Sequence, residues 1–110
     1  MNPLTVSRHD AVTGPVLHVT GDLDYDQAPV LRGRLDQLSL SPGQCLVLDL
    51  SGLEFCDSSG ITALLAARQH ALAARADVVL AAVPANLLRV LTLVGLDQVF
   101  TLRPDSSAAS

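Results

Sequence analysis

The stretch Cys45–Leu65, CLVLDLSGLEFCDSSGITALL, decides how this chain folds. Its first six residues, Cys45 to Leu50, form a nearly continuous apolar run, as expected of a strand buried on both faces. Ser51 to Asp57 reads as a connection. From Ser58 to about Ala74 the pattern becomes helical, with Ile61, Leu64, Leu65 and Leu72 as the apolar face. A buried strand feeding a helix is the opening of a β-α-β unit and predicts a sheet with parallel pairs.

The rest of the chain extends this pattern in both directions. Upstream, Leu4, Val6 and Arg8 mark a first strand and Val16 to Thr20 a second, joined across the turn signal Thr13-Gly14-Pro15 as a hairpin. Gly21-Asp22-Leu23-Asp24 reads as a break in that second strand. Asp26 is placed to cap a helix whose first turn accepts Pro29 and whose apolar stripe is Ala28, Leu31, Leu35 and Leu38. Downstream of the opening stretch, Val78 to Val83 is a buried strand ended by Pro84. Asn86 to Val94 is a third helix, with Leu87, Leu88, Leu91 and Val94 inward and Gly95 as its stop. Val99 to Leu102 adds an edge strand. The predicted fold class is α/β, one domain over residues 1–103 with a mixed, mostly parallel sheet packed against helices in the order β-β-α-β-α-β-α(-β). Residues 104–110 are expected to be a flexible C-terminal tail, being small and polar.

Composition narrows the function. The 110 residues are 49% hydrophobic and 16% charged, which suits one globular core. Aromatics are only 3%, so the core must be built from Leu, Val and Ala. The net charge is −4 and all seven basic residues are scattered arginines, so there is neither a basic stripe nor stacking surface for nucleic acid. No apolar run approaches the roughly 18 residues of a membrane span, and the N-terminus has no signal pattern; a cytoplasmic protein without membrane contact is expected. Cys45 and Cys56 lie outside any CxxC spacing and are expected to be reduced, Cys45 as a small core residue.

Motifs for catalysis are absent. There is no Gly-x-x-x-x-Gly-Lys loop, no GxGxxG and no Gly-x-Ser-x-Gly elbow. His9, His18 and His70 are far apart and show no ligand spacing, so neither a metal nor a cofactor is expected. The conspicuous feature is the turn Asp57-Ser58-Ser59-Gly60 at a helix N-terminus. Asp and Ser there are good helix caps. The same position also tolerates a phosphate, because unpaired N–H groups and a partial positive charge lie at that end. Gly60 just inside the helix costs about 1 kcal/mol relative to Ala. Either a partner's backbone approaches it or the interior packs tightly against it.

The run Leu46–Leu65 closely resembles the signature of STAS domains, specifically bacterial anti-sigma factor antagonists. Gly21-Asp22-Leu23-Asp24 resembles the family's Gly-Glu-Leu-Asp loop, with Asp22 in place of the usual Glu. Val83-Pro84-Ala85, Val94-Gly95-Leu96 and Val99-Phe100 resemble its C-terminal half, so the likeness runs from about Leu4 to Leu102. Cys56 departs from the apolar residue usual at its position and is read as structural. The resemblance implies a non-enzymatic binding module for partner switching. Unphosphorylated, such a protein binds an anti-sigma factor serine kinase and frees a sigma factor. The kinase phosphorylates the first serine after the aspartate, here Ser58, and the complex falls apart; a serine phosphatase reverses this. The implied partner-binding residues are Asp22, Asp24, Asp57, Ser58, Ser59 and Gly60, an acidic edge to which a phosphate adds like charge. Two other readings stand beside it: a STAS subunit of a stressosome-like or lipid-transport assembly, and a small nucleotide-binding protein.

Overall fold

A computed structural model describes residues 2–105. Strands β1 (Thr5–Ala11) and β2 (Gly14–Leu23) form an antiparallel hairpin. Then follow helix α1 (Ala28–Asp36), strand β3 (Cys45–Cys56), helix α2 (Ser58–Ala73), strand β4 (Asp77–Ala81) and helix α3 (Ala85–Leu93). A 3-10 turn at Leu96–Gln98 leads to strand β5 (Thr101–Arg103). The sheet order is β1-β2-β3-β4-β5, and every pair after the hairpin is parallel. The predicted element order and mixed sheet are therefore found.

Sequential parallel strands with right-handed crossovers place all their helices on one face of the sheet. Buried residues of all three helices accordingly enter one cluster with Leu17, Val19, Leu46, Leu48, Leu50, Val78 and Leu80. The opposite face carries a smaller cluster of Val16, Val47, Val79 and Ala81, bordered by Ala11 and Cys45. Both faces of β4 and of the first half of β3, Cys45–Leu50, are thus buried, as their nearly continuous apolar runs require.

Several local readings are corrected. Gly21-Asp22-Leu23 does not break β2; the strand runs on to Leu23 beside an equally extended β3, so Ser51–Cys56 is strand and not connection. The polar residues misled because the pairing is irregular there. Between His18/Thr20 and again between Gly21/Asp22, β3 carries one extra residue opposite β2. Gly21 adopts φ +95°, and a Cβ there would strike the Pro3 carbonyl oxygen. Asp26 does not cap α1: its N-cap is Gln27, without a side-chain cap, and the turn before it is braced by Asp24, whose Oδ1 accepts from the Gln27 N–H at 2.9 Å and whose carbonyl accepts from the Ala28 N–H at 2.7 Å.

The buried stripe of α2 is Gly60, Ala63, Leu64, Ala67 and Ala71. Ile61 and Leu65 are only partly buried, and Leu72 is exposed. Small residues at helical spacing bring α2 close to the sheet, so side-chain size was the wrong guide to its inward face. On α3, Leu87 and Leu91 are inward, whereas Leu88 and Val94 are exposed. Gly95, at φ +81°, follows the end of that helix as expected. The last strand begins at Thr101 and not Val99; it pairs with β4. Of the predicted tail, Ser106–Ser110 lies outside the described residues. Among the described residues, no helix is long and apolar enough to cross a membrane.

Candidate functional site

Parallel pairing of β2 with β3 brings their C-terminal ends side by side. Asp22 lies in register with Phe55, and Leu23 with Cys56. The segment after β2 and the start of α2 therefore meet at one edge of the sheet, where parallel sheets commonly present their binding residues. Asp57 joins the two. Its Oδ1 accepts from the Gly60 N–H at 3.1 Å, capping α2, and its Oδ2 accepts from the Tyr25 N–H at 3.2 Å. The Asp57 N–H in turn donates to the Leu23 carbonyl at 3.3 Å. Asp57 thus holds the shape of the edge, with both carboxylate oxygens engaged by backbone. Asp57→Ala is expected to cost about 1–2 kcal/mol of stability, measured by urea denaturation; an unchanged midpoint would deny it that role.

Ser58 is the first residue of the 16-residue helix α2 and is exposed. Its carbonyl accepts from the Thr62 hydroxyl at 3.0 Å. Ser59 is half-buried and lines a shallow hollow with Tyr25, Ala28, Pro29, Arg32 and Thr62. Of the two serines, Ser58 is the accessible one. Gly60 is fully inside. A Cβ there would collide with the Leu23 carbonyl oxygen, lie 2.6 Å from Cys56 Sγ and 2.9 Å from Leu23 Cγ. Close internal packing, not a partner's approach, explains the glycine.

Asp22 and Asp24 are both half-buried and engaged locally. Asp22 Oδ2 accepts from the Asn2 N–H at 3.1 Å, and Asp24 Oδ1 accepts from the Gln27 N–H in the turn before α1. With Asp26 they line a small cleft beside Asn2, Pro3 and Gln27. Asp22, Asp24, Asp57, Ser58, Ser59 and Gly60 therefore share one end of the molecule. Sequence reasoning missed three neighbours. Tyr25 is 77% exposed and Phe55 50% exposed at this edge. Only three aromatic residues exist in the chain, and that two of them lie close in sequence to Asp24 and Asp57 was a signal available from sequence. Arg32, read as an ordinary solvated helix residue, sits in the hollow with Ser59 and adds a positive charge there.

Cys56 touches this edge from beneath. Burial first, and then the neighbouring Asp57 carboxylate, push its thiol from the ordinary 9.0 up to about 12. A thiol that stays protonated is a poor nucleophile. Alkylation at neutral pH is expected to be slow in the native protein and fast in urea; equal rates would contradict its burial. Because the folded thiol holds its proton where the unfolded one loses it, Cys56 contributes stability that is lost as pH rises from about 9 toward 12. Cys45 is likewise raised, mainly by burial; Asp77 adds to the rise and Arg103 opposes it.

The histidines, scattered in sequence, are not all scattered in space. His9 and His18 meet on the sheet face away from the helices, while His70 Nε2 lies 2.7 Å from the Leu38 carbonyl on the helical side. Among the described residues no group of three or more His, Cys, Asp or Glu is arranged to hold a metal ion.

Comparison with known proteins places this geometry. The family model described as "Mlab, STAS domain" matches residues 6–104. An anti-sigma factor antagonist from Mycobacterium paratuberculosis superposes with a TM-score of 0.83 at 28% identity, over 96% of this chain and 90% of that one. A putative anti-sigma factor antagonist from Thermotoga maritima matches with a TM-score of 0.77 at 18% identity, over 94% and 90%. A sulfate transporter family protein from Wolinella succinogenes matches with a TM-score of 0.73 at 18% identity, over 86% and 79%. The two matches at 18% show a shared fold alone.

Proposed function

Since the chain belongs to the STAS domain family, we propose that it is an anti-sigma factor antagonist switched by phosphorylation of Ser58. In this reading the unmodified protein binds an anti-sigma factor that is also a serine kinase, through the edge formed by Asp22, Asp24, Asp57, Ser58, Ser59 and Gly60. Tyr25 and Phe55 supply the apolar contact area, aromatic residues being favoured at the energetic centre of interfaces. The domain acts as a binding module and not as an enzyme.

The observation that carries this reading is the placement of Ser58: an exposed hydroxyl on the first residue of a long helix, beside an independently braced turn. A phosphate there meets the positive end of the helix dipole, so the fold can accept it. The same phosphate adds roughly −1.5 to −2 charge at the centre of a surface already bearing Asp22, Asp24 and Asp26. Bound partner groups selected to match an acidic, aromatic surface would then face added bulk and charge.

The test is phosphorylation by candidate anti-sigma kinases with ATP, mapped by mass spectrometry, with Ser58→Ala as the control. One phosphate on Ser58, absent from Ser58→Ala and dependent on the kinase, is expected. Modification at Ser59 alone would contradict the assignment. No modification by any kinase that binds the protein would favour a STAS subunit of a transport or scaffold assembly. ATP turnover without a kinase would favour the nucleotide-binding reading.

A further inference from the structure

The sheet face turned away from the helices holds a polar cluster that the switch does not use. In the β1–β2 hairpin His9 lies opposite Val16 and Ser7 opposite His18, so His9 and His18 are diagonal neighbours on one face. His9 Nδ1 and His18 Nε2 are 2.9 Å apart, and the rings stack with centroids 4.9 Å apart and planes at 23°. The other nitrogen of His18, Nδ1, lies 3.1 Å from Asp49 Oδ2. Asp49 Oδ1 accepts from the Ser51 N–H at 3.0 Å. Asp49 is only 7% exposed and is the one charged residue buried among those described.

An ionised carboxylate only accepts, so His18 donates from Nδ1, and in the neutral ring its Nε2 then carries a lone pair facing His9. A carboxylate behind an imidazole whose far nitrogen points outward is the arrangement that orients histidine ligands and raises their basicity in metal sites. His9 is exposed, so its ring can move and its Nε2 faces solvent.

We propose that His9 Nδ1 and His18 Nε2 form a two-nitrogen site for a divalent transition metal that prefers square-planar or tetragonal geometry, copper(II) above all, with Asp49 as the positioning residue. Copper(II) heads the order in which imidazole nitrogens bind divalent first-row metals, and the two nitrogens are already 2.9 Å apart across a hydrogen bond. The exposed His9 ring must swing off the His18 Nε2 lone pair, breaking the hydrogen bond between the rings, before nitrogens of both can face one ion. Binding displaces the hydrogen shared between the rings: the proton on His9 Nδ1 goes to solvent as His9 Nε2 takes one up, so no net proton or electron is transferred. No third His, Cys, Asp or Glu completes the set among the described residues, so water fills the remaining positions.

Tag-free, chelator-treated full chain titrated with copper(II) tests this, read by calorimetry and by electron paramagnetic resonance. One ion per chain with hyperfine coupling to two imidazole nitrogens is expected. His9→Gln and His18→Gln should each weaken binding at least tenfold, and His70→Gln should not. Asp49→Asn should weaken it about 10- to 100-fold. Should Asp49→Asn not fold, the two exposed-face histidine variants decide the site by themselves. Absence of imidazole coupling, or a His9→Gln/His18→Gln double variant that binds copper as the parent does, would overturn the proposal. Parent-like binding by a folded Asp49→Asn would overturn the role given to Asp49.

Discussion

Gly60→Ala is expected to destabilise the domain by about 2 kcal/mol, although alanine is the better helix former by about 1 kcal/mol. The loss comes from space. The added methyl would overlap the Leu23 carbonyl oxygen and approach Cys56 Sγ to 2.6 Å. Overpacking of this kind costs about 1–3 kcal/mol, occasionally more. A flexible side chain yields readily; a backbone oxygen does not. The Leu23 carbonyl is also the acceptor for the Asp57 N–H at 3.3 Å, so moving it pulls on the turn that presents Ser58. The sign of the effect is therefore decisive. A urea midpoint at or above the parent's would mean that helix propensity rules at this position and that the close packing of α2 on β2 and β3 is not limiting.

The second large effect concerns binding. Ser58→Asp is expected to weaken the complex with the cognate anti-sigma factor by about 2–3 kcal/mol, roughly 30- to 150-fold in Kd. Ser58→Ala should bind within a few-fold of the parent. The reasoning is electrostatic and steric. Ser58 is exposed on the edge that holds Asp22, Asp24 and Asp26, and a carboxylate there is repelled by those neighbours and brings bulk and a hydration shell that must be shed where the partner meets a serine hydroxyl. Arg32, in the hollow beside Ser59, attracts the new charge from within the same chain and limits the loss. Arg32→Ala combined with Ser58→Asp should accordingly bind no better than Ser58→Asp alone. Calorimetric titration of each variant against the same partner reads both results. Equal affinity of Ser58→Ala and Ser58→Asp would place the switch elsewhere.

The element order was legible because long apolar runs and helical spacing are strong signals. The apolar run at Cys45–Leu50 led correctly to β3, and the alternation with helices led to a parallel sheet. What sequence hid was where polar residues stay in a strand. Gly21-Asp22-Leu23 and Ser51–Cys56 look like loops, yet two irregularities keep β2 and β3 paired to their ends. That error matters for the site. Continued pairing is what sets Asp22–Asp24 next to Asp57–Gly60. The inward face of α2 was misread for a related reason: Ala63, Ala67 and Ala71 carry little hydrophobic signal individually but fill the space nearest the sheet. Asp57 was legible as a cap, whereas its second bond, to Tyr25 N–H, depends on a contact between residues 32 apart in the chain. The His9–His18 pair was illegible for the same reason, since only hairpin register brings those rings together.

The edge at Ser58 is held by backbone bonds to Asp57 and by the packing beneath Gly60, so its shape does not depend on the serine side chain itself. A modification at Ser58 is thereby expected to alter recognition and to leave the fold in place. The most direct measurement is a paired one on protein phosphorylated stoichiometrically at Ser58: its affinity for the anti-sigma factor by calorimetric titration, and its thermal melt by circular dichroism. The account predicts an affinity reduced at least 30-fold with a melting temperature within a few degrees of the unmodified protein. Undiminished affinity after phosphorylation, or a loss of binding that comes with loss of the folded state, would contradict it.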